Sequence, residues 1–230
     1  MRAVAGDAQV LVIIDEIQEA LYLEDGDAFL TDLLEIFERS TVPVVICGQR
    51  RFLYDLTTFP ALRIENLSFI EAGRMIENDA KRSGVSVNDH TRDLIAVQLG
   101  CSPAYISSYL SSAQDSGSEL TSFAAAEQLY TDEVFGGRLS RHLDSILGRI
   151  ATDAETQSTV LDLLRETIQS EGHGLPLDRW QERLDAEEPS FENIINDLYH
   201  NEIINLVGSE ITFDVNALVV SDYIYARSSL

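Results

Sequence analysis

Two short apolar runs separated by one helical pattern place the strongest constraint on the fold of this chain. The first run, VLVIID, occupies residues 10–15, and the second, VPVVICG, occupies residues 42–48. Continuous apolar runs of this length are typical of strands buried on both faces of a parallel sheet. Together with the helix between them, they predict a βαβ unit with a right-handed crossover. A third, shorter strand is predicted in ALRIENL, residues 61–67.

The helix of this unit is predicted over residues 27–39, DAFLTDLLEIFER. Asp27 is its predicted N-cap, because a carboxylate there can accept hydrogen bonds from the first free amides of the helix. Its predicted apolar side consists of Phe29, Leu33, Ile36 and Phe37, which recur at helical spacing. Residues 1–66 are therefore predicted to be α/β.

Residues 67–145 carry four helical patterns and are predicted to be mostly α. The first pattern begins with Ser68 and has Glu71 three residues later, which is the spacing of a capping box, and Gly84 ends it. The second ends at Gly100, and the third has Pro103 in its first turn. The patterns are SFIEAGRMIENDAKRSG (68–84), NDHTRDLIAVQLG (88–100), SPAYISSYLSSAQDS (102–116) and ELTSFAAAEQLYTDEVF (119–135).

Residues 146–230 have a different order of predicted elements. Helices are predicted at 156–170, 176–185 and 190–201. In EIINLVGSEITFDV (202–215), a Gly-Ser pair separates two strand-like runs and indicates a β-hairpin. NALVVSDYIYARSSL (216–230) predicts a closing helix. Three helices followed by a hairpin is the order of a winged helix.

Composition is that of a globular protein in a reducing compartment. The 230 residues are 45% hydrophobic, and no apolar run approaches the roughly 18 residues of a membrane span. The opening MRAVAGDAQ has no signal-peptide pattern. Cys47 and Cys101 lie in unrelated contexts, which disfavours a disulfide scaffold. We therefore expect a cytoplasmic protein with no membrane partner.

The formal net charge of −23, with Lys81 as the only lysine, restricts the possible partners. A surface this acidic repels nucleic-acid phosphates and anionic lipids. Residues 151–230 contain 16 Asp and Glu residues against 4 Arg residues, and EPSFENIINDLYHNE, which would enter a DNA groove, has no Arg or Lys. DNA readers need such cations, so DNA binding is disfavoured. The acid-rich, lysine-poor composition also suggests a source that accumulates salt.

Asp15 and Glu16, at the end of the first predicted strand, have the clearest chemical potential. A parallel strand delivers its C-terminal residues to the ligand edge of the sheet. There, one carboxylate can hold Mg²⁺ through water, and a second can orient or deprotonate an attacking water. The alternative is a strand-to-loop cap at Asp15 and a solvated charge at Glu16, and the pair alone does not decide between them. The four histidines and two cysteines have no metal-ligand or nucleophile pattern.

Several segments, in order, resemble the C-terminal two-thirds of AAA+/STAND-type P-loop ATPases, closest to archaeal-type ATPases with a helical lid and a winged helix. VLVIIDEIQEA (10–20) resembles their Walker B strand, and VPVVICGQRRF (42–52) resembles the strand that ends in the sensor-1 residue. LSFIEAGRMI (67–76) and LGCSPAYISSYL (99–110) resemble lid segments, with Cys101 in place of a glycine. Residues 198–227 resemble the wing and the helix after it.

This resemblance implies a site for ATP and Mg²⁺. It makes Asp15 the Mg²⁺ carboxylate, Glu16 the catalytic carboxylate and Gln49 the nearest match to the sensor-1 residue. Arg50 and Arg51 follow at the same edge, where they either contact a γ-phosphate or, as we favour, pair with surface acids. The implied domains are a partial ATPase core (1–66), a helical lid (67–145) and a winged-helix domain (146–230).

The chain departs from this family in one respect. It contains no G-x-x-x-x-G-K-[ST] motif, and Lys81 lies in a polar helical context. The 14 residues before Asp15 are too few for a strand, phosphate loop, helix and second strand. A late gene start and a stand-alone remnant would both give this pattern. In either case we expect that these residues alone neither bind ATP tightly nor hydrolyse it.

Two main function classes remain. The chain is either part of an ATP-driven signalling or remodelling switch or a non-catalytic interaction module derived from one. A winged-helix DNA regulator is a third, disfavoured class. For the main classes we expect a protein partner or self-association, because a strand without a neighbour offers its edge to another chain.

Overall fold

A computed structural model describes residues 10–55, 60, 62, 64–170, 172–184, 191–214 and 218–228. The chain divides into two compact units, Met1–Ile64 and Glu65–Leu230. Parts of several sequence predictions lie outside the described residues: the opening nine residues, Ala61 and Arg63 of the third strand, and the ends of the helices predicted at 176–185, 190–201 and 216–230. No helix in the described part of the chain combines the length and the apolar character needed to cross a membrane.

The first unit contains the predicted βαβ arrangement. Its elements are β1 (Val12–Ile14), a 3-10 helix (Ile17–Tyr22), α1 (Gly26–Arg39), β2 (Val44–Ile46) and α2 (Arg50–Asp55). The two strands are parallel, and Ile14 is paired with Ile46. The 3-10 helix and α2 were not predicted. Each is a short helix that follows a strand, and each is too short to show a helical period in the sequence.

Only one face of the β1–β2 sheet is covered among the described residues, which corrects the prediction of strands buried on both faces. Ile14 and Ile46 pack against a small core of Ile17, Leu30 and Phe52. On the opposite face, Ile13 is 63% exposed and Val45 is 45% exposed. The alternation follows from strand geometry, since successive side chains point to opposite faces.

Two predictions about α1 were wrong. The helix begins at Gly26 with Asp25, not Asp27, at the N-cap position, and Asp25 makes no side-chain cap hydrogen bond. Phe29 and Ile36 were predicted to lie on the apolar side but are exposed, whereas Leu30 is buried. The helical period fixes which residues share a face, but the contact with the 3-10 helix and α2 decides which face is covered.

The predicted third strand is also wrong at the residues that can be tested. Leu62 and residues 64–67 have no strand structure. Leu62 is 89% exposed and Ile64 is 80% exposed. A short apolar run becomes a strand only when a neighbouring strand pairs with its backbone. Here the Leu67 amide donates instead to the Cys101 carbonyl at 3.1 Å, at the turn between α4 and α5.

The second unit begins with the predicted helices. They are α3 (Phe69–Ser83), α4 (Asp89–Gln98), α5 (Pro103–Ser116) and α6 (Phe123–Phe135), followed by an unpredicted α7 (Arg138–Ile150). The capping box of α3 is confirmed, since Glu71 accepts from the Ser68 amide at 2.9 Å and donates its own amide to Ser68 Oγ at 3.3 Å. Gly84 ends α3 with a left-handed φ of 71°.

The rest of the second unit mixes helices with a small antiparallel sheet. Its elements are α8 (Ala154–Gln169), β3 (Leu175–Pro176), α9 (Leu177–Leu184), α10 (Phe191–His200), β4 (Ile204–Val207), β5 (Glu210–Phe213) and α11 (Leu218–Arg227). The strand order is β3–β5–β4. The hairpin was predicted, but β3 was not, because a two-residue strand exists only through its pairing with β5.

One hydrophobic core extends through the second unit. It includes Ile76 and Tyr109 from the first helices and Trp180 and Ile211 from the C-terminal part. The predicted boundary at 145/146 falls inside α7. The division into lid and winged helix therefore stays a prediction.

Candidate active site at the ends of two parallel strands

Asp15 and Glu16 follow β1 directly, and both side chains are exposed. The Glu16 backbone is left-handed, with φ 51° and ψ 46°. This conformation is unfavourable for a residue with a Cβ. It is supported on both sides: the Glu16 amide donates to Asp15 Oδ1 at 3.1 Å, and the next amide, of Ile17, donates to the Cys47 carbonyl at 3.1 Å.

The end of β2 lies beside this turn. The Cys47 amide donates to the Ile14 carbonyl at 2.7 Å, which extends the pairing of the two strands by one residue. Gly48 and Gln49 follow, and Arg50 begins α2. The carboxyl ends of parallel strands meet at one edge of a sheet. The predicted site residues that follow β1 and β2 therefore lie after strands that end at the same edge; they are Asp15, Glu16, Gln49 and Arg50. Arg51 lies one residue further along α2.

Gln18 is a residue of this site that the sequence prediction missed. Its side chain is only 4% exposed, although it lies in a short 3-10 helix at the edge of the unit. Its Nε2 donates to Glu16 Oε2, and its Oε1 accepts from the Gln49 backbone amide at 3.0 Å. The sequence does contain a signal for this residue, since Gln18 is a polar residue that follows apolar Ile17 and lies two residues after Glu16.

This arrangement can present two carboxylates to a hard divalent cation and to water. Mg²⁺ in nucleotide sites is held by one or two carboxylates together with waters and phosphate oxygens, so Asp15 fits such a role through water. Among the residues that the structure describes, no group of three or more His, Cys, Asp and Glu is placed to hold a metal ion by itself. Asp15 and Glu16 can therefore supply the carboxylates for the metal ion of a nucleotide site, where water and phosphate oxygens would be the other ligands. The sequence motif that would cradle the phosphates is absent.

Other residues with chemical potential lie in packing environments. Burial raises the pKa of the Cys101 thiol, which disfavours the reactive thiolate. Burial, and then the charge of Arg149, lowers the pKa of His142, whose ring packs edge-on to Tyr105 at 6.2 Å between centroids. Trp180 is fully buried.

Comparison with known proteins supports the fold but does not give a family. No protein-family model and no curated protein matches the chain. Among solved structures, a Walker-type ATPase of Pyrococcus abyssi has a TM-score of 0.58 and 14% sequence identity, with 94% of this chain and 63% of that chain covered. Two structures of RuvB from Thermotoga maritima follow. A single-substitution variant of RuvB has a TM-score of 0.48 at 14% identity, and the RuvB Holliday junction branch migration motor has 0.47 at 15%. Each is aligned over 90% of this chain and 67% of its own.

The fold assignment rests on the first of these structures. At 14% identity this likeness concerns the fold alone: the chain is folded like the part of that Walker-type ATPase with which it aligns. The chain spans 63% of the length of that ATPase.

Proposed function

We propose that this chain is the C-terminal portion of an ATP-binding and ATP-hydrolysing switch ATPase of the AAA+/STAND type. The observation that carries the proposal is the carboxylate pair Asp15-Glu16, which follows a parallel strand beside the end of its neighbour. The likeness in fold to a Walker-type ATPase supports this reading. A carboxylate pair at this edge is where such enzymes place their metal and water chemistry.

In this proposal the site residues have separate roles. Asp15 holds Mg²⁺ through water, and Glu16 orients the water that attacks the γ-phosphate. Gln49 acts as the sensor-1 polar residue. Arg50 is the residue at this edge that would contact phosphate, with pairing to a surface acid as the favoured alternative. Bound Mg²⁺ would neutralise charge on the phosphates. The phosphate cradle must come from residues outside these 230, because they contain no G-x-x-x-x-G-K-[ST] motif. The chain by itself is therefore not competent for hydrolysis.

The second unit would supply a helical lid (67–145) and a winged-helix domain (146–230). The order α8, β3, α9, α10 and the β4–β5 hairpin supports the winged helix, as does the three-stranded sheet order β3–β5–β4. Helix α10 has no Arg or Lys, and Glu192 lies in its first turn. A protein contact is therefore a better use of this domain than DNA binding.

A non-catalytic interaction module is the second candidate function. It is favoured by the missing phosphate motif together with the exposed apolar face of the β1–β2 sheet, which carries Ile13 and Val45. An exposed apolar face and an open strand edge both favour contact with another protein or with a second copy of this chain.

The gene sequence just upstream of the Met1 codon separates the two candidates most cheaply. An in-frame G-x-x-x-x-G-K-[ST] motif would support the ATPase, and a stop codon with no such motif would support the interaction module. If the motif is present, the longer chain should hydrolyse ATP in a Mg²⁺-dependent reaction, whereas the 230 residues alone should release no phosphate above buffer.

Substitutions in that longer chain test the assigned roles. Glu16→Gln should still bind ATP but turn over about 10²-fold more slowly, because the water-orienting carboxylate is lost. Asp15→Asn should instead weaken the dependence on Mg²⁺. Glu24→Gln, at a nearby exposed acid, is the matched control and should behave as wild type. Wild-type turnover in both Asp15→Asn and Glu16→Gln would remove these residues from the mechanism.

A further inference from the structure

The buried amide of Gln18 connects the ends of the two parallel strands. Its donor end meets Glu16 Oε2, and its acceptor end meets the Gln49 backbone amide at 3.0 Å. The two partners lie 33 residues apart in sequence and follow different strands. Gln18 itself is only 4% exposed, and buried side-chain amides are usually hydrogen-bonded, as this one is at both ends.

The backbone around Gln18 is shaped for this contact. The left-handed Glu16 turns the chain away from β1, and the Ile17 amide then donates to the Cys47 carbonyl at 3.1 Å. Strained backbone of this kind persists only where its surroundings hold it, and it is frequent at functional sites. The turn places the Gln18 side chain next to the end of β2, within hydrogen-bond distance of the Gln49 amide.

Gly48 provides the space for the Gln18 amide. A Cβ at residue 48 would lie 2.7 Å from Gln18 Oε1 and 2.9 Å from Ile17 Cγ2. Both distances are shorter than a van der Waals contact, so a side chain at this position would displace the amide or the turn. A glycine is needed here for close approach.

We propose that Gln18 is a positioning residue that fixes the orientation of the Glu16 carboxylate and couples it to the backbone at Gln49. The amide occupies Oε2 of Glu16, which leaves Oε1 to face a ligand. A Glu side chain without this contact samples several rotamers. The catalytic meaning of this contact rests on the role of Glu16 proposed above, but the contact itself does not.

The coupling has a direct consequence for the site. A shift of the Gln49 backbone would move the acceptor end of Gln18, which is hydrogen-bonded to it. Because the amide group is rigid, its donor end moves with it, and the Glu16 carboxylate follows. The pair of hydrogen bonds therefore transmits a change at one strand end to the reacting group at the other.

The contact can be tested in the 230-residue chain by NMR, independently of any ATPase activity. Gln18→Met removes both hydrogen bonds at nearly constant length. Gln18→Glu keeps an acceptor for Gln49 but removes the donor to Glu16. We expect the Gln49 amide to lose at least ~10-fold of its hydrogen-exchange protection in Gln18→Met and to keep it in Gln18→Glu.

The Glu16 side chain gives the second NMR signature. Its β-proton couplings should report one rotamer in the wild type and an average over several in both Gln18 variants. Retained protection of the Cys47 amide, which donates to the Ile14 carbonyl at 2.7 Å, would show that the first unit is still folded in each variant. Unchanged Gln49 protection in Gln18→Met, or averaged Glu16 couplings already in the wild type, would overturn the proposal.

Turnover measurements then separate this inference from the proposed function. In the longer, ATP-hydrolysing chain, Gln18→Met and Gln18→Glu should lower kcat about 10-fold and leave KM unchanged, as for groups that orient a reacting residue. Gln98→Met is the matched control, because Gln98 belongs to the second unit and its Nε2 donates to Glu127 Oε1 at 2.6 Å. Wild-type kcat in both Gln18 variants, with Glu16→Gln inactive, would refute the positioning role alone. If the longer wild-type chain shows no turnover, the proposed function is refuted. The NMR signatures then decide by themselves whether Gln18 holds Glu16 in one rotamer.

Discussion

At the scale of single residues, the clearest structural device in the second unit is a buried carboxylate. Glu133 is 5% exposed, and its Oε2 accepts from the backbone amides of Arg138 at 2.7 Å and Leu139 at 3.1 Å. These are the first amides of α7, which have no partner within their own helix. Gly137 allows the close approach, since a Cβ there would lie 2.6 Å from Glu133 Cα.

Glu133→Ala should therefore lower the free energy of unfolding by about 2 kcal/mol, because the part-buried Arg138 amide and the buried Leu139 amide lose their acceptor. Glu133→Gln keeps one acceptor oxygen and is the matched control, with an expected loss under about 1 kcal/mol. Urea unfolding followed by circular dichroism measures both. Equal stabilities for wild type and Glu133→Ala would show that the start of α7 does not depend on this carboxylate.

At the scale of elements, α3 and α5 carry capping signals of their own, and the sequence predicts the starts of both. Ser68 and Glu71 begin α3, and Ser102 accepts from the Tyr105 amide at the start of α5 beside Pro103. Helix α7 has no such signal: Gly137 makes no side-chain cap, and Glu133 caps the helix from the end of α6. A cap supplied by the preceding helix does not match the local pattern by which helix starts are read.

The two faces of β1 give a matched test of strand burial. Val12 shares the covered face of Ile14, whereas Ile13 lies on the exposed face. Val12→Lys should destabilise the first unit by about 1 kcal/mol, because it replaces a half-buried apolar side chain with an ammonium on the covered face. Ile13→Lys should change its stability by less than about 0.5 kcal/mol. Hydrogen exchange of the amides in residues 10–55 measures this unit separately, and equal losses of protection would contradict the one-sided burial.

At the scale of the whole molecule, charge and apolar surface act in opposite directions. The net charge of −23 disfavours the approach of a second copy. The exposed face with Ile13 and Val45 favours it, as does the unpaired outer edge of each strand in the described two-stranded sheet.

We therefore expect self-association to increase with ionic strength. At about 1 M salt the Debye length falls to about 3 Å, so the repulsion is screened while apolar contact remains. Sedimentation velocity at about 0.05 M and about 1 M KCl should show a larger associated fraction at high salt, and Ile13→Lys should reduce it. A compact monomer under both conditions would mean that another segment covers this face and edge.

Much of the fold could be predicted because its signals are local. The apolar runs before Asp15 and Gly48, the helical periods of α3 to α6 and the Gly-Ser hairpin turn all act over a few residues. The same holds for the candidate site, since Asp15 and Glu16 end one strand, and Gln49 and Arg50 follow the next. Parallel pairing is then enough to bring both ends to one edge.

The sequence by itself determined β1, β2, the helices α3 to α6, the β4–β5 hairpin and the carboxylates that follow β1, because caps, periods and turn residues act on their neighbours. Only the tertiary structure decided which face of β1 and α1 is covered, that residues 64–67 form no strand, and that Glu133 begins α7. It also decided the place of Gln18, whose hydrogen bond to Gln49 closes a separation of 31 residues. The physical reason is common to these features: burial and long-range hydrogen bonds depend on what the rest of the chain brings alongside.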